Sequence, residues 1–339
     1  MKITNSHQYM KYRTKNVVPA MRYDEVQDLL IWQQEARQKL NELLGIPFEH
    51  CEDEFTIEAK EVLENYTHIE FSFQSEQNYY VSCDMLIPVG ITKPLPTAIC
   101  LQGHSTGKHI SIGVPKFKGD IETIAGGRDL AVRAVEEGFC AVVLEQRYMG
   151  TAGQDENGMP SCLTRNEAMA SLLMGRCAVG ERVWDIQRLI DVLEKYMTEY
   201  VDIERIICMG NSGGGTSAFY SSCLDERIYL SIPSCAVCTF EESIMAMKHC
   251  PCNFVPGIRK YFDMGDIGGL IAPRRLIVVC GIEDGIFPVH GVEESYRMIQ
   301  NVYKYAGKED LCYIIKGNGG HQFYPDDVWP VVKKMIGDI

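Results

Sequence analysis

The run Ile206-Ile207-Cys208-Met209-Gly210-Asn211-Ser212-Gly213-Gly214-Gly215-Thr216-Ser217-Ala218-Phe219 decides the fold. It passes from a short apolar stretch, the mark of a buried strand, through a serine set among glycines into small side chains that open a helix. A serine raised on such a turn sits in strained backbone with neighbours packed close on both sides, and only glycine leaves the room that this needs. The pattern Gly-x-Ser-x-Gly occurs a second time, as Gly103-His104-Ser105-Thr106-Gly107. There the strand Thr97 to Leu101 leads in, but Lys108 to Pro115 reads as loop, so no helix follows. Context therefore selects Ser212 as the nucleophile. It also turns Gln102-Gly103-His104 into a supporting feature, because the turn after that earlier strand is where a second oxyanion donor belongs. Gly213 and His104 are the expected oxyanion residues, with the His104 side chain as an alternative to its backbone N–H.

A serine hydroxyl needs a base to take its proton, and the base needs a carboxylate to fix its tautomer and stabilise the imidazolium. After the strand Arg275 to Cys280 comes Ile282-Glu283-Asp284-Gly285, and after the strand Leu311 to Ile315 comes Gly317-Asn318-Gly319-Gly320-His321. Asp284 is the favoured acid, with Glu283 as its alternative, and His321 the base; His290 opens a helical stretch instead. The order Ser212, Asp284, His321 agrees with the α/β-hydrolase order and not with the chymotrypsin or subtilisin orders.

Working outward, apolar runs alternate with helical patterns, the signature of parallel strands joined by crossover helices. Further strands are read at Cys140 to Leu144 and Ile228 to Ile232, and helices at Arg128 to Glu137, Val179 to Tyr196, Gly214 to Leu224, Val289 to Tyr303 and Pro325 to Ile336. Thr67 to Phe73 and Tyr79 to Ile87 form a hairpin. The expected fold class is thus α/β: a mostly parallel, doubly wound sheet with an antiparallel N-terminal hairpin. Residues 1–60 read as a helical extension, with one amphipathic helix over Tyr23 to Leu44 that covers a core edge or joins a second copy of the chain. Residues 61–339 form the catalytic domain, with site-building insertions at 105–127, 146–178 and 233–273.

Composition limits the partners. Hydrophobic residues make up 46% and charged residues 23% of 339, which suits a globular chain and excludes disorder or coiled coil. The formal charge of −13 repels phosphate backbones and anionic lipid, so neither nucleic acid nor membrane is an expected partner. Residues 1–8 carry no apolar signal core, and a cytoplasmic location with reduced thiols is the expectation. Of the 14 cysteines, Cys100, Cys140, Cys208, Cys280 and Cys312 fall in strands and read as core. Cys235-x-x-Cys238 with His249, Cys250 and Cys252 looks like a zinc set, but Cys250-Pro251-Cys252 is tighter than a zinc knuckle. Serine chemistry needs no metal, and no cofactor is expected. Tyr148, Trp184, Phe287 and Phe323 fall near the site loops, where they either stack on a sugar or pack in the core.

From about Tyr66 onward the chain resembles the α/β-hydrolases, in the branch that includes dienelactone hydrolases, acetyl xylan esterases and prolyl oligopeptidases. The resemblance rests on the Ser212 elbow, Leu270-Ile271-Ala272-Pro273-Arg274, Asp284 with Phe287-Pro288, and Gly320-His321-Gln322-Phe323. Cys252-Asn253-Phe254-Val255-Pro256-Gly257 and Tyr261-Phe262-Asp263 are similar to segments of bacterial acetyl xylan esterases. Two motifs depart: Gln102-Gly103-His104 replaces the His-Gly start common in esterases, and Glu145-Gln146-Arg147-Tyr148 the Arg-Gly-Gln run of cephalosporin deacetylases. The resemblance implies a serine esterase that removes small acyl groups, acetyl among them, from a carbohydrate or other alcohol. A serine peptidase like prolyl oligopeptidase and a non-catalytic binding protein are the alternatives. Only about 60 residues precede the first strands, too few for the propeller of the peptidases, and the three catalytic residue types are intact.

Overall fold

The computed structural model describes residues 2–154, 158–160 and 165–337, leaving aside the side chain of residue 165. Among the described residues, nine strands form one sheet: β1 (Thr56–Val62), β2 (Tyr66–Glu76), β3 (Tyr79–Pro88), β4 (Leu95–Leu101), β5 (Cys140–Leu144), β6 (Val201–Asn211), β7 (Ile228–Ser234), β8 (Arg275–Gly281) and β9 (Cys312–Gly317). Their order is β1-β2-β3-β5-β4-β6-β7-β8-β9. Pairing is antiparallel from β1 to β5 and parallel from β5 to β9, the mixed, mostly parallel sheet that the alternating pattern requires.

The interior strands are continuous apolar runs because both faces are covered. In β4, Ile99 and Leu101 face one core while Ala98 and Cys100 face the other; in β6, Ile206 and Cys208 oppose Ile207 and Met209. The helices are α1 (Ser6–Asn16), α2 (Leu29–Leu44), α3 (Asp120–Thr123), α4 (Leu130–Glu136), α5 (Arg165–Leu173), α6 (Ala178–Tyr196), α7 (Gly213–Leu224), α8 (Met264–Gly268), α9 (Val289–Tyr305) and α10 (Pro325–Ile336). Apolar residues of α4 and α10 fill one face, and those of α6, α7 and α9 the other. From β4 the chain crosses to β5 on one side and later to β6 on the other, so the order reverses at β4. A reversal of this kind opens a crevice at the carboxyl ends of the strands, where open α/β sheets bind ligands. Leu101 pairs with Gly210, which brings the turn after β4 level with the elbow after β6.

The N-terminal region departs from the sequence reading. The helix begins at Leu29, not Tyr23, because Asp28 caps it by accepting the N–H of Leu30 and Ile31; it ends at Gly45, whose φ of 75° is left-handed. Val26, an apolar residue of the expected stripe, is 85% exposed. Trp32, Ala36, Leu40 and Leu44 are buried in the core of this same chain, and Gln33 Nε2 donates to the carbonyls of Gly269 and Ala272. The apolar stripe of this helix thus covers a core edge. Neither α1 nor β1 was expected. In α1 Thr14 is the one buried residue, and every residue of β1 is exposed, so neither has a periodic apolar signal. β1 is held by its pairing to β2. Among the described residues, no helix is long and apolar enough to cross a membrane.

Candidate active site

The elbow follows from glycine geometry. β6 ends at Asn211 and α7 starts at Gly213; between them Ser212 has φ 57° and ψ −120°, a conformation costing of order 1–3 kcal/mol that only tight surroundings maintain. A Cβ on Gly210 would lie 2.5 Å from Gly214 C, one on Gly214 2.1 Å from Leu101 O, and one on Gly215 2.4 Å from Ser234 O. Each of those clashes is with backbone, so the glycines are what lets β4, β6, β7 and α7 meet. Ser212 N donates to Ser234 O at 2.9 Å, tying the turn to the end of β7.

Asp284 and His321 meet beside it. Asp284 Oδ2 is 2.8 Å from His321 Nδ1, while Oδ1 accepts the N–H of Ile286 (2.8 Å) and Phe287 (3.0 Å). Burial opposes ionisation of Asp284, yet His321 and the two backbone donors outweigh it and hold the carboxyl below its usual range. With Asp284 on Nδ1, that nitrogen carries the proton and Nε2 keeps the basic lone pair. Glu283, the alternative acid, is exposed. The His321 loop is fixed from several sides. Arg128 Nη2 donates to His321 O (3.0 Å), Cys235 Sγ contacts Gln322 O (3.3 Å), and the Phe287 ring stacks on the imidazole at 5.9 Å. Cys235 follows Ser234, the residue bonded to Ser212 N, so the His321 loop and the elbow share the end of β7. Among the described residues Ser212 Oγ has no hydrogen-bond partner; in ligand-free sites such contacts are often loose and tighten in the complex.

The turn Gln102-Gly103-His104 lies on the elbow. A Cβ on Gly103 would be 2.9 Å from Asn211 O and 3.3 Å from Ser212 Cβ. Gln146 Nε2 donates to Gln102 O (2.7 Å), Ser217 Oγ of α7 donates to Gln146 Oε1 (2.7 Å), and Gln102 Nε2 donates to Glu145 Oε1 (3.0 Å). Glu145, pushed up by burial, also takes Thr151 Oγ1 and the Lys108 N–H. This scaffold was missed in the sequence; its one signal is that Glu145-Gln146 follows β5, the neighbour of β4. The His104 imidazole presses on the elbow, since a Cβ on Gly213 would be 2.9 Å from its Cε1 and Nδ1. His104 thus brings its side chain to the elbow, and both of its expected roles remain geometrically available.

The structure divides the aromatic candidates. Phe287 stacks on His321, and Tyr148, with φ 66°, packs beside Cys252 and hydrogen-bonds Glu181. Trp184 and Phe323 lie in the core, as does Phe287, which is 3% exposed. Trp184 is 3% exposed, donates Nε1–H to Ser75 O and packs on Phe48 and His50; Phe323 is 2% exposed, among the apolar residues of α4 and α10. Trp184 packs in the layer with residues of α2 and α7, and Phe323 in the layer with α4 and α10, so both are held by core packing. His290 is a surface residue paired with Glu242.

The zinc set read from the sequence does not converge. Cys235 joins Asp284 and His321, Cys238 turns to Pro288 O, and His249 packs against Phe287 and Ser243. Instead His104 Nε2 is 3.1 Å from Cys252 Sγ. A hydrogen bond from Cys250, with the charge of Arg182, outweighs burial and lowers the Cys252 thiol to about 6. All thirteen described cysteines are free thiols.

The sequence matches the Abhydrolase family over residues 7–313, and the chain belongs to that family. A curated relative, the hydrolase candidate YtaP of Bacillus subtilis (strain 168), is 28% identical over 155 residues. That match covers 44% of this chain, and the chain spans 50% of the relative's length. A candidate acetyl xylan esterase from Bacteroides fragilis NCTC 9343 superposes with a TM-score of 0.84 at 18% identity, covering 98% of this chain and 95% of that one. A glucuronoyl esterase from Solibacter usitatus superposes with a TM-score of 0.70 at 17% identity, covering 95% and 98%. At these identities the likeness establishes the α/β-hydrolase fold.

Proposed function

We propose that this member of the Abhydrolase family is a serine carboxylic-ester hydrolase that removes small acyl groups, acetyl foremost, from a carbohydrate or other alcohol. The observation that carries the reading is the 2.8 Å Asp284–His321 bond beside a serine raised on a glycine-packed elbow. His321 Nε2 takes the Ser212 proton as Oγ attacks the ester carbonyl, and Asp284 stabilises the imidazolium that forms. The N–H groups of Gly213 and His104 receive the oxyanion, each donor worth about 3 kcal/mol in comparable sites. The imidazolium then protonates the departing alcohol. Water, deprotonated by the same Nε2, cleaves the acyl-serine and releases the acid. The preference for acetyl takes its support from the fold shared with the acetyl xylan esterase candidate.

The test is a series of p-nitrophenyl esters of rising chain length beside aminoacyl-proline amides, with Ser212→Ala as the blank. Ser212-dependent turnover that falls beyond the shortest acyl groups is expected, and acetylated xylan then tests the sugar. Cleavage of the amides with no ester turnover would replace the reading with a peptidase.

A further inference from the structure

We propose that His104, Cys250 and Cys252 form a binding site for a thiophilic divalent cation, zinc in the first instance, which clips the segment around Pro251 to the turn that carries His104. Their three ligand atoms lie within 4.8 Å of one another, from segments about 150 residues apart in sequence. Around a tetrahedral zinc, with bonds of about 2.3 Å to sulfur and 2.0–2.1 Å to nitrogen, ligand atoms stand roughly 3.5–3.8 Å apart. The cation replaces the present 3.1 Å contact between His104 Nε2 and Cys252 Sγ. Two thiolates and an imidazole select zinc over magnesium, calcium or manganese, which prefer oxygen. The tight spacing of Cys250 and Cys252 excludes a zinc knuckle but not this site, because the third ligand comes from a distant turn.

The surroundings fit. Asn253 holds Cys250 O through Nδ2 (3.5 Å) and accepts Thr216 Oγ1 (3.3 Å), fastening the cysteine segment to α7. The other convergent groups are committed elsewhere: Cys235, Asp284 and His321 contain the acid and base, and in His68, Glu70 and Asp84 the carboxylate of Asp84 is paired with Lys108. The cation also has a consequence that rests on the esterase reading. With metal on Nε2, His104 keeps its proton on Nδ1, the nitrogen that faces Gly213, and so presents a third donor to the oxyanion.

The test uses the full chain, reduced and stripped with chelator, titrated with Co²⁺ without oxygen. One equivalent should produce thiolate-to-cobalt charge-transfer absorption and the intense visible bands of a tetrahedral site, both removed by Zn²⁺. Cys250→Ser and Cys252→Ser should each weaken binding by at least about 100-fold, while Cys235→Ser and His249→Ala leave it unchanged. In wild type, Zn²⁺ should shield two thiols from a thiol reagent, a readout that holds even where a variant fails to fold. A folded protein with no charge-transfer band, or a band that titrates in Cys250→Ser at the same cobalt concentration as in wild type or vanishes in Cys235→Ser, overturns the site. Cobalt binding without ester turnover would retain the site and reject only the esterase reading.

Discussion

Gly214→Ala tests whether close approach of backbone at the elbow is what builds the site. Gly214 lies in the first turn of α7, where helix propensity alone favours alanine by about 1 kcal/mol. Steric contact argues the other way. The new Cβ would lie 2.1 Å from Leu101 O and 2.5 Å from Gln102 O, against an optimum near 3.5 Å for such pairs. Both atoms are backbone, so relief requires β4 and the turn after it to move by more than about 1 Å from α7. Overpacking costs about 1–3 kcal/mol, and a clash with two carbonyls belongs at the upper end, leaving a net loss of about 2 kcal/mol. The same displacement withdraws His104 N–H from its proposed place at the oxyanion, and a 1 Å error of this kind costs about 100-fold in rate. Urea unfolding and kcat/KM on p-nitrophenyl acetate measure both effects. Gly126→Ala, where a Cβ meets nothing within 4 Å, is the control and should stay within about 0.5 kcal/mol. If Gly214→Ala matches wild type in stability and kcat/KM, the steric account of the elbow is wrong.

Asp284→Asn should lower kcat by about 10⁴-fold while Glu283→Gln changes it less than about twofold, since of these two carboxylates Asp284 bonds His321 Nδ1 and Glu283 is exposed; steady-state kinetics on both variants decide. Trp184→Ala should lose about 3–5 kcal/mol in urea unfolding with KM for short esters unchanged; a raised KM with stability intact would return Trp184 to the substrate site. Asp120 is held at about 2, because Thr106, the N–H groups of Lys116 and Phe117, and His109 outweigh its burial. Its folded pKa lies below the unfolded value near 4, so its stabilisation is complete above about pH 4 and disappears as pH falls through about 2. The gap in unfolding free energy between wild type and Asp120→Asn should therefore narrow from about pH 5 to pH 2, and a gap that widens on acidification contradicts this.

The interior of the fold was legible because burial on both faces leaves no alternative to long apolar runs: β5 and α10 fall where the pattern puts them. Elements held by backbone pairing or polar contact leave no such trace. The exposed strand β1 and the polar helix α1 are cases, and so is the start of β6, where Val201 and Asp202 pair with Leu95 and Pro96 outside the apolar run. At the candidate site, the pairing of Asp284 with His321 and the strained turn at Ser212 were readable because each residue follows a strand end in an order that the fold imposes. The scaffold of Glu145, Gln146 and Ser217 and the contact of His104 with Cys252 were not, since they depend on which strand ends become neighbours. Trp184 shows the converse error, a residue near the site in sequence whose helix directs it into the core.

The central claim is that Ser212 is the nucleophile made reactive by His321. A fluorophosphonate probe, which reacts with activated serines, followed by peptide mass mapping tests it directly. The account predicts one adduct, on the peptide that carries Ser212, absent in Ser212→Ala and formed at least about 100-fold more slowly in His321→Ala. A folded protein that takes no adduct, or takes it on Ser105, would contradict the account.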